Sequence, residues 1–465
     1  MSLAQRFRHL RTPELWILAA LAALTRCWDL FRPHRVIFDE RLFEVYAGSY
    51  FTGRFYFDVH PPLGKLLIAA AAKLLGVSGS TLVHAEPAVA LRILPALAGA
   101  MLVPLTWSML RQLGAGRTVA TLAASLVLLD NALLVQSRFI LLDSLLMAFS
   151  LGAITLFLAA RPRAGAARVV LLAACGMCAG ASTSIKWTGL AALGLVVLAL
   201  VAEGIHERRA LRRAALDTLV VVLPALGVYV ASFAIHFALL RTSGSGDAWM
   251  PAAFQATLRG NPRFDSSARY SLVASAIALN RSMALAQRSI PPAHLAFASR
   301  WYTWPFMFRP LHYWHSPPLA NGRVANVHLF GNPVVWYGAI VGTIATLATW
   351  MRSAEGFRGR RWALAFLGAG LAINYAPFAF VRRELFLYSY LPALLLAIAL
   401  ASYGAGVMFH WTDDTERPFA FPSRRSAAMY WCILGAAFIG FLVVAPISYG
   451  WPESMDSIYS FAIYN

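Results

Sequence analysis

The feature that most constrains this chain is a succession of apolar runs, set apart by short stretches in which arginines gather. A helix that crosses a bilayer needs roughly twenty predominantly apolar residues. Eleven such runs are expected, over 13–30, 88–108, 118–136, 139–159, 167–183, 187–203, 215–240, 334–350, 362–380, 386–408 and 431–448. Polar residues interrupt the stretches at 130–140 and 181–188, so the boundaries there are the loosest. Composition agrees: 59% of the 465 residues are hydrophobic, against roughly 45–50% in a soluble domain. The expected class is an all-α polytopic membrane protein.

Charge refines this reading. The chain carries a net charge of +19. In a soluble protein that excess would point to nucleic acid, but no zinc finger or aromatic RNA-binding pattern accompanies it. The arginines instead punctuate the apolar runs. Arg6, Arg8 and Arg11 precede the first. Arg111 and Arg117, then Arg161, Arg163 and Arg168, then Arg208, Arg209, Arg212 and Arg213 occupy alternate loops. Arg358, Arg360 and Arg361, and finally Arg424 and Arg425, complete the series. With eleven spans all these clusters share one side, which the positive-inside rule makes cytoplasmic. The opposite face receives two long segments, 31–87 and 241–333, and the tail 449–465 with Trp451, Asp456 and Tyr459.

Other features are quieter. Cys175 and Cys178 have CxxC spacing, but they lie within an apolar run, which favours helix packing over redox chemistry. Cys27 and Cys432 are isolated, so no disulfide framework is implied. The first run ends at Arg26-Cys27-Trp28-Asp29 without a small-residue cleavage site, so it reads as a membrane helix, not a removable leader. No internal repeat of the kind found in many transporters is visible. Two units are expected: 1–408 as a catalytic core holding both long loops, and 409–465 as a cytoplasmic loop, a last helix and an external tail.

The chemistry-bearing residues concentrate on the non-cytoplasmic face. Asp39-Glu40 follows an apolar stretch. Asp39 is suited to cap a helix running from Glu40 to Tyr50. It is equally suited to act as a general base, since a carboxylate at a hydrophobic boundary has a tuned proton affinity. In Asp58-Val59-His60-Pro61-Pro62-Leu63-Gly64-Lys65, the two prolines restrict His60 and open a new helix, so His60 is expected to shape a site more than to move a proton. Arg92, Arg138, Asp143, Lys186, Arg382 and Arg383 stand within or beside apolar runs. Charges at such boundaries either snorkel or serve function. A cluster of outward cations fits a lipid-linked phosphate, for which arginine offers bidentate contacts; Arg138 and Asp143 could instead pair with each other. The aromatic stretch 301–315 suits a headgroup-level position or the lining of a sugar site. No metal motif is present; a divalent cation near Asp39 is left open, and no cofactor is called for.

Taken in order, these landmarks resemble the protein O-mannosyltransferase family, membrane enzymes of GT-C architecture. The matching pieces are Phe38-Asp39-Glu40, the DVHPPLGK stretch from Asp58 to Lys65 with Phe57 before it, and Arg92 in ALRILPAL. SRFILLDS at 137–144, SIKWTG at 184–189, YTWPFMFR at 302–309, LFGNPVVW at 329–336 and FLYSYLPAL at 386–394 complete the set. They cover roughly 38–400, and DVHPPLGK is the most specific. The second long loop is too short for the soluble MIR module of eukaryotic members, so the resemblance is to the shorter bacterial form.

The resemblance implies a GT-C fold with about eleven membrane helices and two large external loops. It implies inverting transfer of mannose from a polyprenyl-phosphate donor to Ser or Thr of a secreted or periplasmic protein, in the inner (plasma) membrane with the site facing outward. Asp39 would be the base, Glu40 would hold the geometry, and His60 and Arg92 would complete the catalytic set. Arg138, Asp143, Lys186, Arg382, Arg383 and Tyr388 would attend donor phosphate and sugar. Trp304, Phe306, Arg309, His312 and Asn332 would form the acceptor loop. Partners would be the donor, the acceptor protein and membrane lipids, with secretion machinery or a second copy as further associates and no nucleic acid. The competing readings are a sugar transferase acting on lipid A or a glycan, and a lipid or sugar transporter.

Overall fold

The computed structural model describes residues 12–83, 88–206, 211–289, 298–319, 322–352, 359–411 and 417–454. Arg6, Arg8, Arg11, Arg208, Arg209, Arg358, Asp456 and Tyr459 lie outside them. The helices are α1 (Pro13–Cys27), α2 (Glu40–Thr52), α3 (Leu63–Leu74), α4 (Gly79–Val83), α5 (Ile93–Gln112), α6 (Arg117–Leu128), α7 (Asn131–Arg138), α8 (Asp143–Ala160), α9 (Gly165–Ile185), α10 (Leu190–His206), α11 (Leu211–Leu239), α12 (Ala252–Gln255), α13 (Leu272–Ser289), α14 (Pro333–Arg352), α15 (Arg361–Tyr375), α16 (Leu391–Met408) and α17 (Arg424–Tyr449). Among the described residues, nine helices, some lengthened by flanking 3-10 turns, are long and apolar enough to cross a membrane. The pair α6–α7, bent by 56°, makes a tenth.

Two departures from the expected spans have local causes. The first run yields a helix of only 15 residues. It stops because Trp28 turns extended and Asp29 adopts φ +46°, and the carbonyls freed there are taken by Arg138, from Arg26 (3.3 Å), Trp28 (2.5 Å) and Asp29 (2.8 Å). The run expected at 118–136 breaks at Asp130. This buried carboxylate caps α7 by accepting from the Leu133 amide at 2.9 Å, as short polar side chains do at helix starts. The following span begins at Asp143, after the extended Phe139.

Packing follows side-chain size. α16 is buried nearly all round and apolar on every side, as a central helix must be. α9 lies against α8 and α11. Its Gly176 and Gly180, four apart, meet the backbone of α11 so closely that a Cβ would come within 2.1 Å of the Val221 carbonyl and 2.5 Å of that of Ala225. Small residues at this spacing let membrane helices touch backbone to backbone. Cys175 and Cys178 are free thiols on the same helix.

The two long segments and the tail meet at one end of the bundle. Strands β1 (Leu311–His315) and β2 (Val324–Leu329) form an antiparallel hairpin with an irregularity between His312 and Trp314, and β3 (Pro452–Glu453) pairs with Val324 and Ala325. Thr242 bridges Arg54 and Arg259, so the first long segment is paired directly to the second. The segment beyond 408 is not a detached piece: Asn131 on α7 donates to the Phe441 carbonyl and the Ser448 hydroxyl of α17.

Candidate active site

Two adjacent carboxylates open the site and take opposite roles. Glu40, 1% exposed, holds Arg92 in a two-point ion pair, Nε to Oε1 and Nη2 to Oε2, both 2.8 Å. It also accepts from the amides of Ile37 (3.0 Å) and Ile140 (2.9 Å). Arg92, fully buried, spends its remaining donors on the carbonyls of Leu30, Pro33 and Arg35. The pair therefore satisfies both charges and staples the loop leading to α2 against the starts of α5 and α8. Arg92 acts as an internal strut.

Asp39 stands at the start of α2, yet its side chain makes no capping bond. Among the described residues its carboxylate has no hydrogen-bond or ion-pair partner. The preceding Phe38 is forced to φ +48° and stacks on Tyr313 with ring centroids 4.3 Å apart. A left-handed non-glycine residue is strained and persists where its surroundings over-determine it; here the stack and the Glu40 clamp on Ile37 do so. Burial pushes the Asp39 carboxyl above its ordinary pKa, the Lys186 ammonium pulls it down, and Asp143 and Asp58 push it up.

Those neighbours are themselves tied together. Lys186, where α9 ends, meets both oxygens of Asp143 at 2.8 Å. Gln136 donates to Asp143 at 2.8 Å and accepts from the Tyr313 hydroxyl at 2.5 Å. The Tyr388 ring lies 5.1 Å from the Lys186 ammonium. Asp58 pairs with buried Lys65 at 2.6 Å, and Lys65 also binds the carbonyls of His60 and Pro61, which fixes the turn before α3. Burial drives His60 down to about 3, with Asp58 opposing and Lys186, Lys65 and Arg383 adding to the shift. His60 is thus a neutral imidazole at working pH. Arg383 has no hydrogen bond or ion pair among the described residues; burial pushes its guanidinium pKa down, and Tyr388 opposes this.

Asp39, His60, Asp143, Lys186, Arg383 and Tyr388 are therefore brought together, with Glu40 and Arg92 behind them. Others go elsewhere. Arg138 does not pair with Asp143; its guanidinium caps α1 and lies 4.5 Å over the Tyr449 ring. Asn332 is fully buried and knots three helices, donating to the carbonyls of Leu129 and Ala437 while its backbone amide reaches Asp130. Trp304 is fully buried, bonded to Ser299 and packed on Phe378. In all three, the side chain is bonded to neighbouring helices or loops. Phe306 is exposed, as are Arg382 and Arg309, the latter bonded to the Ala298 carbonyl. His312 stacks on His315 and lies tilted against His328 on the hairpin. Tyr313 and Gln136 are site members that the sequence did not mark; a tyrosine amid ten other aromatic and apolar residues carries no separate signal. Glu44, one turn after Glu40, is likewise buried, bonds the Ala88 amide at 3.1 Å and is raised by burial to about 7. Among the described residues, no three His, Cys, Asp or Glu side chains come together as metal ligands; the groups around Asp39 include the cation Lys186, a poor neighbour for a metal ion.

A polytopic helical bundle with its polar residues gathered under two paired outer loops defines a GT-C membrane fold. The S. cerevisiae Pmt1–Pmt2 complex bound to the sugar donor superposes on 96% of this chain and 91% of that one, with a TM-score of 0.82 at 19% identity. The apo oligosaccharyltransferase of Archaeoglobus fulgidus aligns over the whole chain and 60% of its own length, with a TM-score of 0.54 at 14% identity. Two family models match in succession: dolichyl-phosphate-mannose-protein mannosyltransferase over 16–241, and the C-terminal four-TMM region of protein-O-mannosyltransferase over 272–464. The chain belongs to the protein O-mannosyltransferase family. It is 36% identical over 263 residues to protein O-mannosyltransferase 1 of Drosophila melanogaster, covering 53% of this chain and 30% of that one. It is 30% identical over 271 residues to dolichyl-phosphate-mannose–protein mannosyltransferase 4 of S. cerevisiae, covering 53% and 35%. The chain thus spans about a third of the length of these curated relatives.

Proposed function

We propose that the chain transfers mannose from a polyprenyl-phosphate donor to Ser or Thr hydroxyls of proteins, with inversion, at the outer face of the inner (plasma) membrane. The observation that carries this reading is two groups of opposite charge left unbonded among the described residues: the Asp39 carboxylate, raised by burial and near Lys186 and Asp143, and the Arg383 guanidinium near Tyr388, whose ring lies 5.1 Å from the Lys186 ammonium. Asp39 takes the proton of the acceptor hydroxyl. The oxygen attacks the anomeric carbon opposite the phosphate, and the electron pair of the breaking C–O bond leaves with the lipid phosphate. Arg383 and Lys186 stabilise that charge in surroundings where water is scarce. His60, held neutral, shapes the site without contributing a proton. The partners proposed are the lipid donor, a secreted or periplasmic acceptor and a second subunit, the last because the yeast structure is a complex of two chains.

The test is transfer in detergent from purified polyprenyl-phosphate-mannose to a Ser/Thr peptide, read by peptide mass. A mannose-sized gain is expected from the wild type. Asp39→Asn should fold and lose roughly 10²–10⁴-fold in rate. Near-normal transfer by Asp39→Asn would remove the base; no gain across several peptides would remove the reaction.

A further inference from the structure

Helix α13, in the second long segment, is bonded on its inner side to both pieces of chain that carry the site. Its Asn280 accepts from the Tyr229 hydroxyl of α11 at 2.5 Å, and that hydroxyl accepts from the indole of Trp187 at 3.1 Å. Trp187 directly follows Lys186. Two residues on, Ser282 donates to the Trp249 carbonyl at 2.5 Å. The Trp249 ring stacks on Phe57, centroids 4.2 Å apart, immediately before Asp58. Gln287, two turns after Asn280, donates to the carbonyl of Val59 at 3.2 Å. Three separate contacts thus lead from one helix to the Lys186 turn and to the Asp58–His60 loop.

The outer side of α13 has a different character. Ser275, Leu279, Met283 and Ala286 form its buried stripe, while Val273 (68%), Ile277 (64%) and Leu285 (52%) are exposed, with Arg281 and Arg288 exposed beside them. Apolar residues outward with arginines alongside are the signature of a helix lying in the headgroup layer. α13 does not qualify as a span among the described helices.

We infer that α13 is a surface-seated strap that fixes the Lys186 turn against the Asp58–His60 loop, with Tyr229 and Asn280 as positioning residues for transfer; this rests on Lys186 serving the reaction proposed above. A hydroxyl that both accepts from Trp187 and donates to Asn280 leaves the turn one orientation. Without it, the ammonium that must meet the leaving phosphate is placed less accurately, and small misplacements at a reacting centre are costly.

The experiment uses the full chain in detergent with polyprenyl-phosphate-mannose and a Ser/Thr peptide. Tyr229→Phe deletes one oxygen and keeps the ring against Phe233. It should lower kcat by on the order of tenfold, leave the donor KM within about twofold and leave the melting temperature unchanged. Asn280→Leu should act alike, and the double variant should fall no further than the worse single one, since both cut the same chain of bonds. Wild-type kcat in Tyr229→Phe, or additive losses in the double variant, would overturn the strap. Amide exchange read without donor over 184–190 and 57–62 separates this from the transfer reading. Faster exchange in Tyr229→Phe is expected, and unchanged exchange overturns the strap even where the wild type transfers no mannose.

Discussion

Asp39 and Glu40 are neighbours in the chain, yet the Glu40 carboxylate accepts four hydrogen bonds while that of Asp39 has none among the described residues. A general base needs an acceptor atom within reach of the proton it takes, and in the proposed role the bonded Glu40 holds Asp39 in place. This has a pH consequence. Burial raises the Asp39 carboxyl, so in the proposed role its ionised form is lost as pH falls through a value above that of an ordinary aspartate. The acid limb of kcat/KM should therefore lie above the ordinary aspartate value. Lys186 lowers the same group, so Lys186→Met should move the limb to higher pH as well as slow the reaction. A limb that stays put would dissociate Asp39 from the profile. The two arginines divide in the same manner. Arg383→Gln should reduce donor use and leave melting unchanged, because among the described residues its guanidinium makes no hydrogen bond or ion pair. Arg138→Gln should lower the melting temperature, because three carbonyls at the end of α1 lose their donor. If Arg138→Gln spared stability and Arg383→Gln did not, the two roles would be reversed. The acidic motif and the basic residues were legible in the sequence as a set. Their division into strut and site was not, since it depends on carbonyls between 57 and 112 positions away.

At the scale of elements, the apolar runs were legible because length and composition suffice to mark a membrane helix. Their ends were not. α1 is shortened by Arg138, and the α6–α7 span is broken by Asp130, whose other bonds come from the Asn332 amide and the Trp336 indole, about two hundred residues on. Asn332, which the resemblance places in the acceptor loop, is bonded into this knot. The hairpin at 311–329 was hidden in a segment read as aromatic loop. The α9–α11 contact gives the element-scale prediction. Gly180→Val places a branched side chain against the Ala225 backbone, where a Cβ already lies 2.5 Å from the carbonyl. Overpacking at such a contact costs about 1–3 kcal/mol. Thermal unfolding in detergent should show a lower midpoint for Gly180→Val, whereas Gly194→Val, with open space at that position, should melt like the wild type.

The whole molecule adds a constraint that no single helix carries. β3, after the last span, pairs with β2 in the second long segment, and Thr242 joins that segment to the first. These pairings require both long segments and the tail to share a face. An even number of crossings separates loops on the same side, so the bent α6–α7 pair must count as one span for the arginine clusters to collect on the other side. The positive-inside rule predicts the loop at 160–168 in the cytoplasm and, with the proposed function, the site outside. Single cysteines test this once Cys27, Cys175, Cys178 and Cys432 are replaced by alanine. Ser266→Cys lies in an exposed part of the second segment, and Ala164→Cys lies in an exposed arginine-flanked loop. In intact cells a membrane-impermeant maleimide should label Ser266→Cys and leave Ala164→Cys unlabelled until the membrane is opened. The reverse pattern would turn the molecule over and place the Asp39 site on the side where no secreted acceptor passes. Equal labelling of both before lysis would break the topology itself, because two loops an odd number of spans apart cannot face the same solvent.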